Sequence, residues 1–142
     1  MILTKWNRYR DIGLLILRVG IGIMFLFHGW PKLAGGPERW AGLGQAMSTF
    51  GITAAPALWG FLAAVSEFFG GLLLIAGLFT RPACMMMLAT MLVASSMHLA
   101  RGDGILGASH AIELGIVFLS LLFIGPGKYS IDERWAARAR QG

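Results

Sequence analysis

The chain has 142 residues, of which 56% are hydrophobic and 13% are charged. Soluble domains carry about 25% charged residues, so this composition excludes an ordinary soluble domain. The formal charge of +5 comes from basic residues that flank apolar segments instead of forming one cluster, and nucleic acid is therefore not expected as a partner. These properties predict a membrane protein whose basic residues set its orientation in the lipid bilayer.

Four apolar segments are long enough to cross a hydrocarbon layer of about 30 Å, which takes roughly 20 helical residues. Their predicted bounds are residues 12–28, 57–78, 83–99 and 105–124. Between the first two segments, apolar residues recur at helical spacing, which predicts an interfacial amphipathic helix over residues 37–50. The expected fold is all-α: one membrane domain over residues 1–142, with four antiparallel transmembrane helices in a bundle.

Lysine and arginine residues are distributed unequally between the two ends of the spans. With Arg18 left out because it lies inside a span, eight of them lie at the end that carries the N-terminus, the turn at Arg81 and the C-terminal tail. The other end has three, namely Lys32, Arg39 and Arg101. Cytoplasmic segments carry the excess of positive charge in membrane proteins, so both termini are expected in the cytoplasm.

Two charged residues of opposite sign lie inside the first two spans. A charge at mid-bilayer costs about 2.5 to 3.5 kcal/mol on insertion scales, so such residues usually face other helices and pair. Arg18 and Glu67 are each followed at helical spacing by glycines, which allow close approach of helices. We therefore predict a structural ion pair between Arg18 and Glu67. The alternative is that the pair contacts a polar ligand or moves protons.

A second group of polar residues is predicted near the opposite membrane surface. His28 and His98 lie near the ends of the first and third spans, and His110 and Glu113 lie three residues apart in the fourth. Such groups at one depth can share a pocket, exchange protons or hydrogen-bond a quinone carbonyl. No metal is expected, because no spacing typical of a zinc site is present. For each histidine alone, the alternative is a residue satisfied by the backbone or by water.

The order of these motifs is similar to that of a known family. A first span with an arginine is followed by FLFHGWPKL and then SEFFGGLLLIAGLFTRPA, and the last span ends in IGPGKYSID. From about Leu15 to Asp132, this pattern resembles the DoxX family of small four-helix bacterial inner-membrane proteins. The resemblance implies an inner-membrane location. The positions that match the family's polar residues are Arg18, His28, Lys32, Glu67, Arg81, His110 and Glu113.

The resemblance implies a membrane subunit of a quinone-linked redox system, since the family is named after a subunit of a thiosulfate:quinone oxidoreductase. On this interpretation His110 and Glu113 are catalytic, and the ligand-binding residues are His28, Lys32, Glu67 and His98. The sequence has no haem, flavin or iron–sulfur motif, so a redox partner or a reduced substrate is expected to supply electrons.

A non-enzymatic function is the alternative, because the wider superfamily resembles cargo receptors and receptor-assembly helpers. The chain would then bind or assemble a partner protein, a lipid or a small molecule. Glycine-rich helix faces also make a homo-oligomer an expectation for this sequence.

Overall fold

The computed structural model describes residues 9–141 and, within them, contains helices and no strand. In chain order the helices are α1 (Arg10–Ala34), α2 (Gly36–Gly44), a 3-10 helix (Gln45–Phe50), α3 (Pro56–Ala76), α4 (Thr80–Ala100), α5 (Gly104–Ile124) and α6 (Ile131–Ala139). The predicted all-α class is confirmed. The basic residues Lys5 and Arg8, which contributed to the predicted orientation, lie outside the described residues.

Four helices, α1, α3, α4 and α5, are long and apolar enough to cross a membrane. Short turns join α3 to α4 and α4 to α5, so these three spans alternate in direction. α1 packs mainly on α3, α4 packs mainly on α5, and the contact between α3 and α4 joins the two pairs. The result is a four-span bundle whose outer surface contacts the lipid bilayer.

The apolar core fills the part of the bundle nearer the termini. It contains Leu14 and Leu121 at that end, and it extends to Phe25 and Met91 further into the bundle. α1 and α5 meet there through Phe25 and Phe118, whose rings pack edge to face with centroids 5.3 Å apart. Beyond Phe25 the packing changes from apolar to polar, and this is where the candidate site lies.

The first span is longer than the sequence predicted. α1 does not end at His28 but continues through Pro31 to Ala34. A proline removes one backbone donor, which is tolerated here so close to the helix end. The Lys32 carbonyl accepts hydrogen bonds from the Gly35 amide at 3.3 Å and from the Trp40 indole at 3.0 Å. Lys32 therefore belongs to the helix, where side chains tilt toward the helix N-terminus and into the bundle.

The predicted interfacial helix is present as α2 and the 3-10 helix that follows it. It lies between the first two spans and packs closely on the first half of α3. A β-carbon added to Gly44 would collide with the Pro56 carbonyl, and one added to Gly60 would collide with the Trp40 carbonyl. The two backbones are therefore in direct contact, and only glycine fits at Gly44 and Gly60.

This contact gives a prediction for two glycines of α2. Gly44→Ala should lower the free energy of unfolding by about 1 to 3 kcal/mol, because overpacking forces the helices apart. Gly42 is the matched control, since a β-carbon there meets nothing within 4 Å. Gly42→Ala should be neutral or stabilising by up to about 1 kcal/mol. Thermal unfolding of the purified variants in detergent measures both effects, and equal stability of the two variants would contradict the packing described.

Candidate functional site: a polar cavity between the spans

A cavity of about 180 Å³ lies between α1, α3, α4 and α5. At roughly 30 Å³ per water molecule this is the volume of about six waters, well below the 300 to 1,000 Å³ of pockets that enclose whole drug-sized ligands. Its apolar walls include Phe25, Met91 and Leu114. Its polar walls are His28, Lys32, Glu67, His98 and His110. The structure thus brings these five sequence-predicted residues together.

An ion pair between Lys32 and Glu67 forms one wall of the cavity. The Lys32 ammonium donates to both carboxylate oxygens of Glu67, at 2.6 and 2.8 Å. The Glu67 side chain is only 5% exposed and that of Lys32 is 28% exposed. Because a buried charge is costly unless it is paired, this contact explains how Glu67 is accommodated in the middle of a span.

The predicted ion pair between Arg18 and Glu67 is replaced by other contacts. Arg18 is fully buried, and its guanidinium donates to the backbone carbonyls of Leu74 at 2.8 Å and Tyr129 at 2.6 Å. Leu74 lies seven residues beyond Glu67 in α3, which places Arg18 about 10 Å from the level of Glu67 at 1.5 Å per residue. Because α1 continues to Ala34, Lys32 lies at the level of Glu67 and Arg18 meets the end of α3.

The Arg18 contact belongs to a hydrogen-bonded assembly at the terminal end of the bundle. The Asp132 carboxylate accepts from the backbone amides of Phe79 and Thr80, at 2.8 and 2.9 Å, where α4 begins. The Asp132 amide in turn donates to the Gly77 carbonyl at 3.0 Å. The segments GLFTRP and GPGKYSID, together with Arg18, therefore join the C-terminal tail to the bundle and do not line the cavity.

The histidines mark the side on which the cavity opens. The rings of His28 and His110 face each other from α1 and α5, with centroids 5.9 Å apart. Both residues are exposed, so the cavity is accessible where α1 and α5 face each other. On α4, Nδ1 of His98 lies 2.7 Å from the Asp103 carboxylate, and this contact orients the His98 ring.

Glu113 does not share the cavity with His110. Each residue of an α-helix rotates the side-chain direction by about 100°, so Glu113 points about 60° away from His110 around the helix axis. This rotation places Glu113 on the exposed outer face of α5. Within residues 9–141, Glu113 makes no hydrogen bond or ion pair. The predicted group of four polar residues is therefore divided: three histidines lie at the cavity, and the carboxylate points away from it.

The cavity presents both donors and acceptors to a small molecule. Lys32 has three N–H donors, and two of them are used by Glu67, which leaves one for a ligand. An imidazole can donate, accept or transfer a proton. In the described part of the chain, no group of three histidine, cysteine or acidic residues could hold a metal ion. The site is suited to binding a carbonyl-bearing molecule and to proton exchange.

Comparison with known proteins fits this architecture. A family model described as DoxX matches residues 13–99. This chain belongs to the DoxX family. The matched region includes α1, α2, α3 and most of α4, and with them the Lys32–Glu67 pair, whereas His110 lies beyond it. The DoxX match thus covers the charged wall of the cavity but not the histidine that α5 contributes.

Relatives of this DoxX protein extend over nearly the whole chain. Inner membrane protein YqjF of Escherichia coli is 33% identical over 129 residues, which cover 89% of this chain and 94% of the relative. Inner membrane protein YphA of Escherichia coli is 29% identical over 141 residues, covering 89% and 97%. An uncharacterized protein of Haemophilus influenzae is 31% identical over 139 residues, covering 94% and 98%.

No solved structure matches the chain. The inner-membrane relatives and the four apolar spans together identify this DoxX-family chain as a multi-pass inner-membrane protein.

Proposed function

We propose that this DoxX-family protein is the membrane subunit of a quinone-linked redox system and that its cavity binds the quinone head group. The observation that carries the proposal is the partly buried Lys32–Glu67 ion pair, which lies in the wall of a small cavity lined by all four spans. A volume of about 180 Å³ suits one substituted ring. The apolar tail of a quinone stays outside, among the lipids.

The polar walls have separate roles in this proposal. Reduction of a quinone to a quinol takes two electrons and two protons, and each carbonyl becomes a hydroxyl. His28 and His110, at the opening, hydrogen-bond one carbonyl and supply protons. The free N–H of Lys32 donates to the head group from within the cavity. The electrons come from a redox partner protein or a reduced substrate.

We also propose that both termini are cytoplasmic. Arg10, Arg81 and Lys128 line a single groove at the terminal end of the bundle. Positive charge accumulates on the cytoplasmic side of membrane proteins, which supports this orientation.

Replacement of the histidines at the opening tests the redox function. In membranes that contain the chain, His28→Leu and His110→Leu should each lower chain-dependent reduction of a short-tailed quinone by about 100-fold, the usual effect of losing a general acid. Absorbance of the quinone follows the rate, and immunoblots show equal amounts of each variant in the membrane. Glu38→Gln, on the exposed side of α2, is the control and should leave the rate unchanged. Unchanged rates in both histidine variants would exclude the proposed role.

The outward position of Glu113 favours a second function, a non-enzymatic binding or assembly factor that contacts another protein within the membrane. The two functions differ in the same assay. A binding or assembly factor gives no chain-dependent reduction of quinone, although a small molecule or client protein still copurifies with it. That outcome would contradict the redox proposal.

A further inference from the structure

Glu113 lies deep in the membrane on a surface that faces outward. It is nine residues from the start of α5, about 14 Å along the helix and thus near the middle of a hydrocarbon layer of about 30 Å. It is exposed at the surface of the bundle and has no partner within residues 9–141. Ionisable side chains at this depth almost always face protein or a water-filled cavity. A surface that carries such a residue is expected to be covered by another protein.

Glu113 is part of a continuous row on the outer face of α5, which we call the α5 seam. Its members alternate at spacings of four and three residues and are Leu106, His110, Glu113, Val117, Ser120 and Ile124; Val117 is half-buried against the core, and the other five are exposed. Leu106 is 89% exposed and Ile124 is 48% exposed. This spacing is that of the contact positions in a two-helix coiled coil. A second helix can therefore pack along the whole seam, with apolar contacts at both ends and polar contacts in the middle.

We propose that the α5 seam packs against the α5 seam of a second copy of this chain. Two copies enter the membrane in the same direction, so a two-fold axis along the membrane normal sets their α5 helices parallel. In such a contact every pair of different residues forms twice, with the roles of the two copies exchanged. His110 and Glu113 are adjacent positions in the seam, about 4.5 Å apart along the helix. Equal positions of two parallel helices lie at the same level, so the long side chain of Glu113 reaches His110 of the other copy across one step of the seam, and the reciprocal pair forms as well.

Charge complementarity favours a second copy of the chain, and not lipid, as the molecule that covers the α5 seam. The seam contains its own donor in the His110 imidazole and its own acceptor in the Glu113 carboxylate, and the hydroxyl of Ser120 lies two turns further along. Acyl chains offer neither donor nor acceptor, whereas hydrogen bonds between transmembrane helices favour their association. Two symmetric pairs together with the apolar ends of the seam stabilise the dimer.

The dimer completes the candidate site. His110 lines the cavity of its own chain, and Glu113 of the second copy approaches the same imidazole from outside the bundle. A carboxylate that accepts from an imidazole fixes the ring and its tautomer, as in hydrolase triads. Glu113 thereby acts as a positioning residue for the partner's cavity. This consequence rests on the proposed function, whereas the dimer itself does not.

Cysteine cross-linking in native membranes tests the contact. Cys84, the single cysteine of the chain, is buried and is first replaced by alanine. Ser120→Cys represents the exposed part of the seam, Ile116→Cys lies beside it on α5, and Leu92→Cys lies on α4. The two control positions are equally exposed, each at 58%. Mild oxidation should cross-link Ser120→Cys into dimers at least about tenfold more than either control, because a held interface raises the effective concentration of the thiols.

Charge exchange tests the reciprocal pair in the Ser120→Cys chain. His110→Glu and Glu113→His should each reduce the yield of dimer, and the double exchange should restore it, because each histidine again meets a glutamate. Membrane insertion is verified by immunoblot for every variant. Equal cross-linking at all three cysteine positions, or a seam that cross-links only to a different protein, would overturn the proposal. The readout contains no quinone, so failure of the redox assay and failure of the dimer are separate results.

Discussion

Arg18→Ala is expected to lower the free energy of unfolding by about 3 to 5 kcal/mol, since two hydrogen bonds from a charged donor are lost. The carbonyls of Leu74 and Tyr129 lose their guanidinium donors, at 2.8 and 2.6 Å, and the space of a fully buried side chain is left empty. Tyr129 precedes α6, so the tail should also detach more readily from the bundle. Thermal unfolding in detergent measures the first effect, and limited proteolysis of the tail measures the second.

Two further variants separate this effect from a general loss of positive charge. Arg18→Lys should be intermediate, because an ammonium group lacks the planar fork that reaches two carbonyls at once. Arg138→Ala removes an exposed arginine of α6 and should change stability by less than about 0.5 kcal/mol. If Arg18→Ala and Arg138→Ala were equally stable, the guanidinium would not be joining α1 and α3 to the tail.

Lys32→Met is expected to destabilise the protein by about 3 to 5 kcal/mol, because removal of one member of a buried pair leaves the other charge uncompensated. Glu67, with a side chain that is 5% exposed, would then keep a carboxylate inside the bundle without its ammonium partner. The double variant Lys32→Met with Glu67→Gln should recover most of the loss. A double-mutant cycle on unfolding in detergent gives the coupling energy directly.

Exposed residues of the same types provide the controls for this cycle. Lys128→Met and Glu38→Gln alter charges at the surface of the described chain, and each should change stability by less than about 0.5 kcal/mol. Additive effects of the Lys32 and Glu67 substitutions would show that the two side chains act independently, contrary to the geometry of the pair.

The sequence was sufficient to predict the four membrane spans and most of the polar residues that line the cavity. A membrane-spanning helix makes its backbone hydrogen bonds internally and exposes apolar side chains to lipid, so its position can be predicted from local composition. Polar residues inside such a helix are rare enough to be conspicuous, which is how His28, Glu67, His98 and His110 were found. All four line the cavity.

The hydrogen-bond and ion-pair partners of the charged residues could not be predicted from local composition. The first span was predicted to end at residue 28, so Lys32 lay beyond it and its pairing with Glu67 was missed. One signal was available: Lys32 follows His28 by one helical turn. Arg18 binds backbone carbonyls, which every residue carries, so no sequence pattern indicates them.

The direction of Glu113 depends on how α5 is rotated in the bundle. This helix is apolar almost all round, so its sequence has no strongly polar face that would show which side is buried. His110 and Glu113 are close along the chain, yet the packing of α5 places His110 at the cavity and leaves Glu113 away from it. That division arises from tertiary packing.

The central claim, that a quinone head group occupies the cavity, is tested most directly by filling the cavity without changing its charges. Ala94 lies in the cavity wall on α4, and Ala94→Leu adds three carbon atoms there. Ala89→Leu makes the same change on the exposed face of α4. The dissociation constant of a short-tailed quinone, measured with the purified chain in detergent, should rise at least about tenfold in Ala94→Leu, since the ring loses its space. It should be unchanged in Ala89→Leu. Equal affinity in Ala94→Leu and in the unaltered chain would contradict the claim.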